Sequence, residues 1–271
     1  AQDHDGESTL EFRRNDRHLE VEIRPMDHGT LGLFRDVTAA RELERSRREM
    51  QRMVSHELKT PLSSISGFGS MIETYELSRE EQLRIAGLIR GEADRLATMV
   101  RTFLDLELLG THQGTEQWAT IDLGGLVEER CDILNAAARE AGQHLHVEGG
   151  DDCPVAGSAD LLARLIDNLV GNAIKYSPGG ATIRVVTRRL GPATILEVTD
   201  DGPGIDRDAL PRIFERFYRV PGSGSSGSGL GLALVKEISD RHGGCVRAAS
   251  EVGRGSTFTV ELPCENPGME A

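Results

Sequence analysis

The sequence predicts an α+β protein of several domains: the end of an antiparallel sheet, two long helices that form a hairpin, and an α/β sandwich. Three observations carry that expectation. Apolar and charged residues alternate over residues 8–38, Arg-, Glu-, Leu- and Met-rich helical sequence begins at 39, and short β-type runs interleave with helical patterns from Trp118 onward. The 271 residues suffice for about two hydrophobic cores, and the division expected is 1–38, 39–112 and 113–271.

Taken in order, Leu10 and Phe12, then Leu19, Val21 and Ile23, then Leu31, Leu33 and Phe34 read as three strands, with turns at Asn15-Asp16 and Asp27-His28-Gly29. Three strands ending in Arg35-Asp36-Val37-Thr38 resemble the last part of a PAS sensor domain. That resemblance implies that the front half of the domain, with any ligand pocket, lies upstream.

Residues 39–75 predict a helix with Leu43, Met50 and Met53 near heptad spacing, as in a parallel paired stalk. Ser78 followed by Glu81 is a capping-box pattern opening a second helix, with an apolar stripe at Ile85, Ile89, Leu96, Val100 and Phe103. The apolar faces are too wide for one hairpin to bury, so two hairpins in a four-helix bundle, and hence a homodimer, are expected. Residues 110–114 read as a linker.

Beyond it, 123–141 predicts a helix and 145–148 a strand. Asp160 is the expected N-cap of a helix reaching Tyr176, and 182–187 pairs with 194–199. A helix over 230–242 ends at Gly243-Gly244, and 245–249 with 256–262 forms the last hairpin.

Composition narrows the function. A net charge of −13 argues against a nucleic-acid partner, while 38% hydrophobic and 4% aromatic residues indicate a soluble aliphatic core. Cys131, Cys153, Cys245 and Cys264 form no CxxC pair and read as free thiols of a reducing, cytoplasmic compartment. No apolar run reaches the ~20 residues of a membrane helix, so no membrane contact is expected of this stretch. Opening at Ala1 without Met, the chain reads as a fragment, leaving an upstream membrane anchor open.

Two groups of residues carry chemistry. The first is Ser55-His56-Glu57-Leu58-Lys59-Thr60-Pro61-Leu62, which sets a nucleophile beside a base on a helix that Pro61 should bend. The second comprises Asn168, Asn172, Lys175 and Tyr176, then Asp200-Asp201-Gly202-Pro203-Gly204-Ile205, then Gly227-Ser228-Gly229-Leu230-Gly231-Leu232. Amide oxygens at i and i+4 suit a hard cation, and glycines before a helix leave backbone amides open to phosphate. Any one of these taken alone reads as a solvated helix face or an ordinary turn.

Together, over about residues 46–265, they resemble the sensor histidine kinases of two-component signalling, with a phosphoacceptor hairpin and a GHKL-type ATPase domain. The resemblance implies ATP and Mg²⁺ as cofactors, a response regulator as partner, and His56 as phosphoacceptor. It makes Glu57 the orienting base, and makes Thr60 the residue that orients water to dephosphorylate the regulator. Asn168 and Asn172 would hold Mg²⁺, Lys175 would reach phosphate, and Tyr176 and Asp200 would take the adenine. Gly202, Gly204, Gly229, Leu230 and Gly231 would shape the pocket, and Thr257 would face the phosphates. Residues 213–219 match the phenylalanine box, with Phe214 and Phe217 under the lid and Arg219, preferred to Arg216, at the γ-phosphate. Two other readings stay open: a GHKL ATPase that is not a kinase, and a catalytically weak ATP-binding dimeric scaffold. The loop over 75–78 decides whether His56 takes phosphate from its own subunit or its partner.

Overall fold

The computed structural model describes residues 8–26, 29–110, 118–150, 152–221 and 227–265. Asp27-His28 of the second expected turn, most of the expected linker and the centre of the glycine–serine lid lie outside them. The chain divides into two compact units, Ala1–Ser78 and Arg79–Ala271.

In the first unit, β1 (Ser8–Arg14), β2 (Arg17–Met26) and β3 (Gly29–Asp36) form an antiparallel sheet in chain order. Asn15 and Asp16, with φ of 47° and 60°, make the tight turn between β1 and β2. Asn and Asp are the non-glycine residues that best tolerate this left-handed backbone, whose twist matches a hairpin. The register aligns Leu10 with Val21 and Phe34, as the alternation requires. A single-residue junction leads into α1 (Thr38–Thr74). There the Thr38 hydroxyl donates to Asp36 at 2.6 Å and accepts the His18 N–H at 2.8 Å, tying the helix start to the sheet. Hydrogen bonds from Thr38 hold the Asp36 carboxyl below the usual carboxylate range. Pro61 lies within α1, which continues for more than three turns beyond it.

The second unit opens with α2 (Arg79–Gly110), which starts directly after Ser78 and carries Glu80 and Glu81 in its first turn. Acidic residues there suit the positive end of the helix dipole. Within the single chain Ile85 of the expected stripe is buried and Val100 is exposed, and the buried residues of α2 are Ile85, Met99, Thr102, Leu106 and Leu109. The C-terminal half of α2 packs on α5 (Gly231–Arg241), and that docking selects the buried face.

The rest of the unit is a two-layer sandwich. α3 (Leu123–Glu140), α4 (Ala159–Tyr176) and α5 lie against a five-stranded sheet made from β5 (His144–Glu148), β7 (Thr182–Leu190), β8 (Ala193–Asp200), β9 (Cys245–Glu251) and β10 (Gly255–Pro263). Its order is β5-β7-β8-β10-β9, with only the β5–β7 pair parallel. Aligned rows such as Val185–Val198–Phe258 and Thr187–Leu196–Val260 are buried against the helices. The alternate row Arg184–Thr199–Thr257 faces away from them. Two short strands that the pattern does not predict, β4 (Ala119–Asp122) and β6 (Pro154–Gly157), pair separately. Asp122 then caps α3, accepting from the N–H groups of Gly124 and Gly125. The N-cap of α4 is Ser158 rather than the expected Asp160, which sits in the first turn. An Asp at either place favours the positive helix end, so its presence alone does not mark the boundary.

Candidate functional site

Two sites emerge, one on each unit. On α1 the His56 side chain is 81% exposed, and its Nδ1 lies 3.9 Å from Glu57 Oε1. That separation is longer than a hydrogen bond, so the ring stands open to solvent with the Glu57 carboxylate near its Nδ1 edge. Lys59, Thr60, Ser63 and Ser64 share one open groove with His56 because three, four, seven and eight residues place them on one helical face. The Thr60 hydroxyl reaches toward the His56 carbonyl at 3.5 Å.

In the second unit, a cleft of about 950 Å³ opens between α4, the loop after β8 and the start of α5. The apolar face of α4 buries Leu162, Ile166, Leu169 and Val170, which turns Asn168, Asn172, Lys175 and Tyr176 toward the cleft. Nδ2 of Asn168 donates to the Arg164 carbonyl at 2.7 Å, so its Oδ1 is the atom presented to the glycine loop. Lys175 Nζ stands 4.8 Å from the centroid of the Tyr176 ring and 3.4 Å from its hydroxyl.

Asp200, at the end of β8, lines the same cleft and is only 6% exposed. Burial raises its carboxyl above the usual range, while hydrogen bonds from the backbone of Gly202 and Ser256 work in the opposite sense. Gly202 thus acts through Asp200, donating at 2.8 Å, rather than lining the cleft. Gly204, at φ +73°, lies so close to the Glu251 carbonyl that a side chain there would collide with it.

At the other wall Gly229, at φ +68°, accepts the Phe217 N–H at 2.9 Å, binding the phenylalanine box to the glycine box. Gly229 and Gly231 line the cleft, whereas the Leu230 side chain is fully buried and offers only its backbone. Phe214 and Phe217 are half-buried, and the buried anchor of that segment is Ile213. Arg219 lines the cleft, while Arg216 lies 3.8 Å from Glu107 and 3.6 Å from Glu237.

Thr257 is a correction. Its hydroxyl meets that of Thr199 at 3.1 Å on the sheet face turned away from the helices. Ser256, one residue earlier, pairs with Asp200 and lines the cleft. Sequence reasoning also missed Asp94, Arg95, Thr98, Met99 and Thr102 of α2, which complete the rim. Their spacing marks one helical face, but nothing in it points to a cleft more than sixty residues away.

Comparison with known proteins gives two family matches. Residues 46–112 match the family model of the His Kinase A (phospho-acceptor) domain. Residues 157–266 match that of the histidine kinase-, DNA gyrase B- and HSP90-like ATPase. The chain belongs to the sensor histidine kinases. The sensor-like histidine kinase SenX3 of Mycolicibacterium smegmatis is 34% identical over 232 residues, covering 84% of this chain and 60% of the relative. The sensor protein DivL of Caulobacter vibrioides is 32% identical over 95% of this chain and 36% of its own length. The chain therefore spans 60% or less of either relative. Among solved structures, full-length ShkA in complex with AMPPNP is 28% identical with a TM-score of 0.59, covering 79% of this chain and 45% of that one. Histidine kinase ThkA in complex with the response regulator TrrA shares the fold at 22% identity and a TM-score of 0.68, covering 96% and 79%.

Among the described residues, no cluster of three or more His, Cys, Asp or Glu could hold a metal, and no helix is long and apolar enough to cross a membrane. Asn168 Oδ1, fixed toward the glycine loop, suits a hard cation held by few protein ligands, and Asn172 one turn on lines the same cleft.

Proposed function

We propose that this kinase binds ATP in the α4–α5 cleft, phosphorylates His56 and passes the phosphoryl group to an Asp of a response regulator. The observation that carries the reading is the buried Asp200 carboxylate in a cleft walled by Asn168, Asn172 and Gly231. A desolvated acceptor selects the exocyclic amino group of adenine, and side-chain-free amides at Gly229 and Gly231 receive phosphates. The AMPPNP bound by the similar ShkA supports the choice of ATP. Asn172 and Asn168 would hold Mg²⁺, which supplies charge neutralisation on the phosphates.

The Nε2 lone pair of His56 forms a bond to the γ-phosphorus as the bond to the bridging oxygen breaks, and that electron pair leaves with ADP. Glu57 takes up the Nδ1 proton, so the phosphorylated ring is neutral. Arg219 and Lys175 stabilise charge on the transferring group, and positioning supplies most of the acceleration.

The wider assignments follow from the same reading. Residues 1–38 are the end of a PAS-like sensor, 39–112 the signalling helix and dimerisation hairpin, and 113–271 the catalytic domain. Exposed Leu62, Met71 and Ile72 on α1, and Leu83, Leu88 and Leu104 on α2, support a homodimer burying them in a helical bundle. The regulator bound by the fold relative ThkA supports that class of partner. The charge of −13 continues to disfavour nucleic acid, and free thiols fit a cytoplasmic location. Thr60, beside His56, would orient water when the kinase dephosphorylates its regulator.

Incubation with γ-labelled ATP and Mg²⁺, beside His56→Gln, tests the proposal. Acid-labile, alkali-stable label on the parent and none on the variant is expected. ATP turnover without label would favour a plain GHKL ATPase, and ATP binding with neither would favour a scaffold.

A further inference from the structure

At the end of α5 remote from the cleft, His242 is 2% exposed and both its ring nitrogens are engaged. Nδ1 lies 2.8 Å from the Ile238 carbonyl. A carbonyl only accepts, so Nδ1 carries the proton and Nε2 presents a lone pair. That lone pair receives the backbone N–H of Ser158 at 3.2 Å. Ser158 is the N-cap residue of α4, 4% exposed, and makes no side-chain cap of its own. Trp118 covers the imidazole with ring centroids 4.9 Å apart. A β-carbon at Gly157 would fall on Cδ2 and Nε2 of the same ring, so β6 passes close enough that only glycine fits.

The imidazole therefore joins the N-cap of α4 to the last turn of α5. The two helices pack together, and Asn168, midway along α4, meets Gly231 at the start of α5. α5 has 11 residues, a rod of about 16 Å, stiff enough to carry a displacement from one end to the other. We propose that His242 is a positioning residue. As the neutral Nδ1–H tautomer it fixes the registration of α4 on α5, and so the distance of Asn168 and Asn172 from the glycine box that takes the triphosphate. This rests on the reading of the cleft as an ATP site. Adenine recognition is set separately, because Asp200 stands on the sheet and is held by Gly202 and Ser256.

Two substitutions divide the imidazole's functions. His242→Asn keeps a donor near the Ile238 carbonyl and loses the acceptor for Ser158, whereas His242→Gln keeps an acceptor at the longer reach. The test titrates the full chain with a non-hydrolysable ATP analogue plus Mg²⁺, and separately with adenosine. His242→Asn is expected to weaken the analogue about tenfold and adenosine less than about twofold, with His242→Gln recovering to within about threefold of the parent. Gly157→Ala, which keeps the histidine, should cause the same selective loss, and should add nothing further in the His242→Asn background.

Equal binding of the analogue by His242→Asn and a competent parent overturns the inference alone. So does parallel loss of analogue and adenosine, which marks general destabilisation, or a Gln variant no better than Asn. If the Asn variant fails to fold, a Gly157→Ala chain that binds the analogue normally overturns it equally. A parent that binds adenosine and analogue not at all overturns the ATP reading beneath it.

Discussion

Oδ1 of Asn168 lies 2.8 Å from the point a β-carbon on Gly231 would occupy. The amide cannot easily turn aside, because its Nδ2 is held by the Arg164 carbonyl at 2.7 Å. The first turn of α5 and the polar face of α4 therefore meet at a contact only a glycine allows. Gly231→Ala should push the two apart and weaken ATP binding by about tenfold or more, a loss of about 1.4 kcal/mol. Titration with a fluorescent nucleotide checks this.

Asp200 links binding to pH. Burial raises its folded-state carboxyl above the usual range, and the unfolded carboxyl titrates lower. Between the two values the folded state holds more protons, so this group makes folding stability fall as pH rises through that window. ATP affinity should move the opposite way, since the amino group needs the ionised acceptor. Asp200→Asn should remove this component from the melting-temperature profile and weaken ATP by at least about tenfold. Melting curves and titrations across the acid range read both effects.

Ser256 and Thr257 lie on opposite faces of β10, and a matched pair of substitutions separates them. Ser256→Val puts bulk into the cleft beside Asp200 and should weaken ATP by about tenfold. Thr257→Val removes only a hydroxyl bonded to Thr199 at 3.1 Å. It should cost about 1 kcal/mol of stability and leave ATP affinity unchanged. Denaturant unfolding and nucleotide titration on both variants decide this, and the reverse outcome would restore Thr257 to the phosphates.

Arg219 and Arg216 should differ in kind. Arg219 lines the cleft, so Arg219→Ala should slow His56 labelling at saturating ATP on the order of a hundredfold. Arg216 pairs with Glu107 and Glu237 while a third exposed. Arg216→Ala should cost about 0.5 kcal/mol of stability, with labelling nearly unchanged. Single-turnover labelling beside thermal melts distinguishes them.

Thr60→Ala should keep His56 labelling while slowing regulator dephosphorylation by about tenfold or more, the scale of a positioned proton-handling group. Release of phosphate from a pre-phosphorylated regulator measures it. Equal loss of labelling would instead make Thr60 part of the forward reaction.

Much of this protein is local and hence legible in its sequence. His56, Glu57 and Thr60 share a surface because helical spacing alone puts them there. Asn168 and Asn172 oppose Leu162, Ile166 and Leu169 for the same reason, and the strand pairs follow from period-two alternation between turn residues. Periodicity assigns residues to opposite faces, however, without saying which face meets which neighbour. Alternation separates Ser256 from Thr257, but only the helices covering one side of the sheet decide that Ser256 lines the cleft. The same holds for α2, where docking on α5 buries Met99 and Leu106, exposes Val100, and brings Thr98 to the cleft rim. The hydrogen bond from Ser158 to His242 spans 84 residues, and no local spacing announces a contact made by packing two helices ends-on to one imidazole. Short-range sterics and hydrogen bonding determine the elements and their candidate residues, whereas burial is a property of the assembled layers, and it alone turns those candidates toward a site.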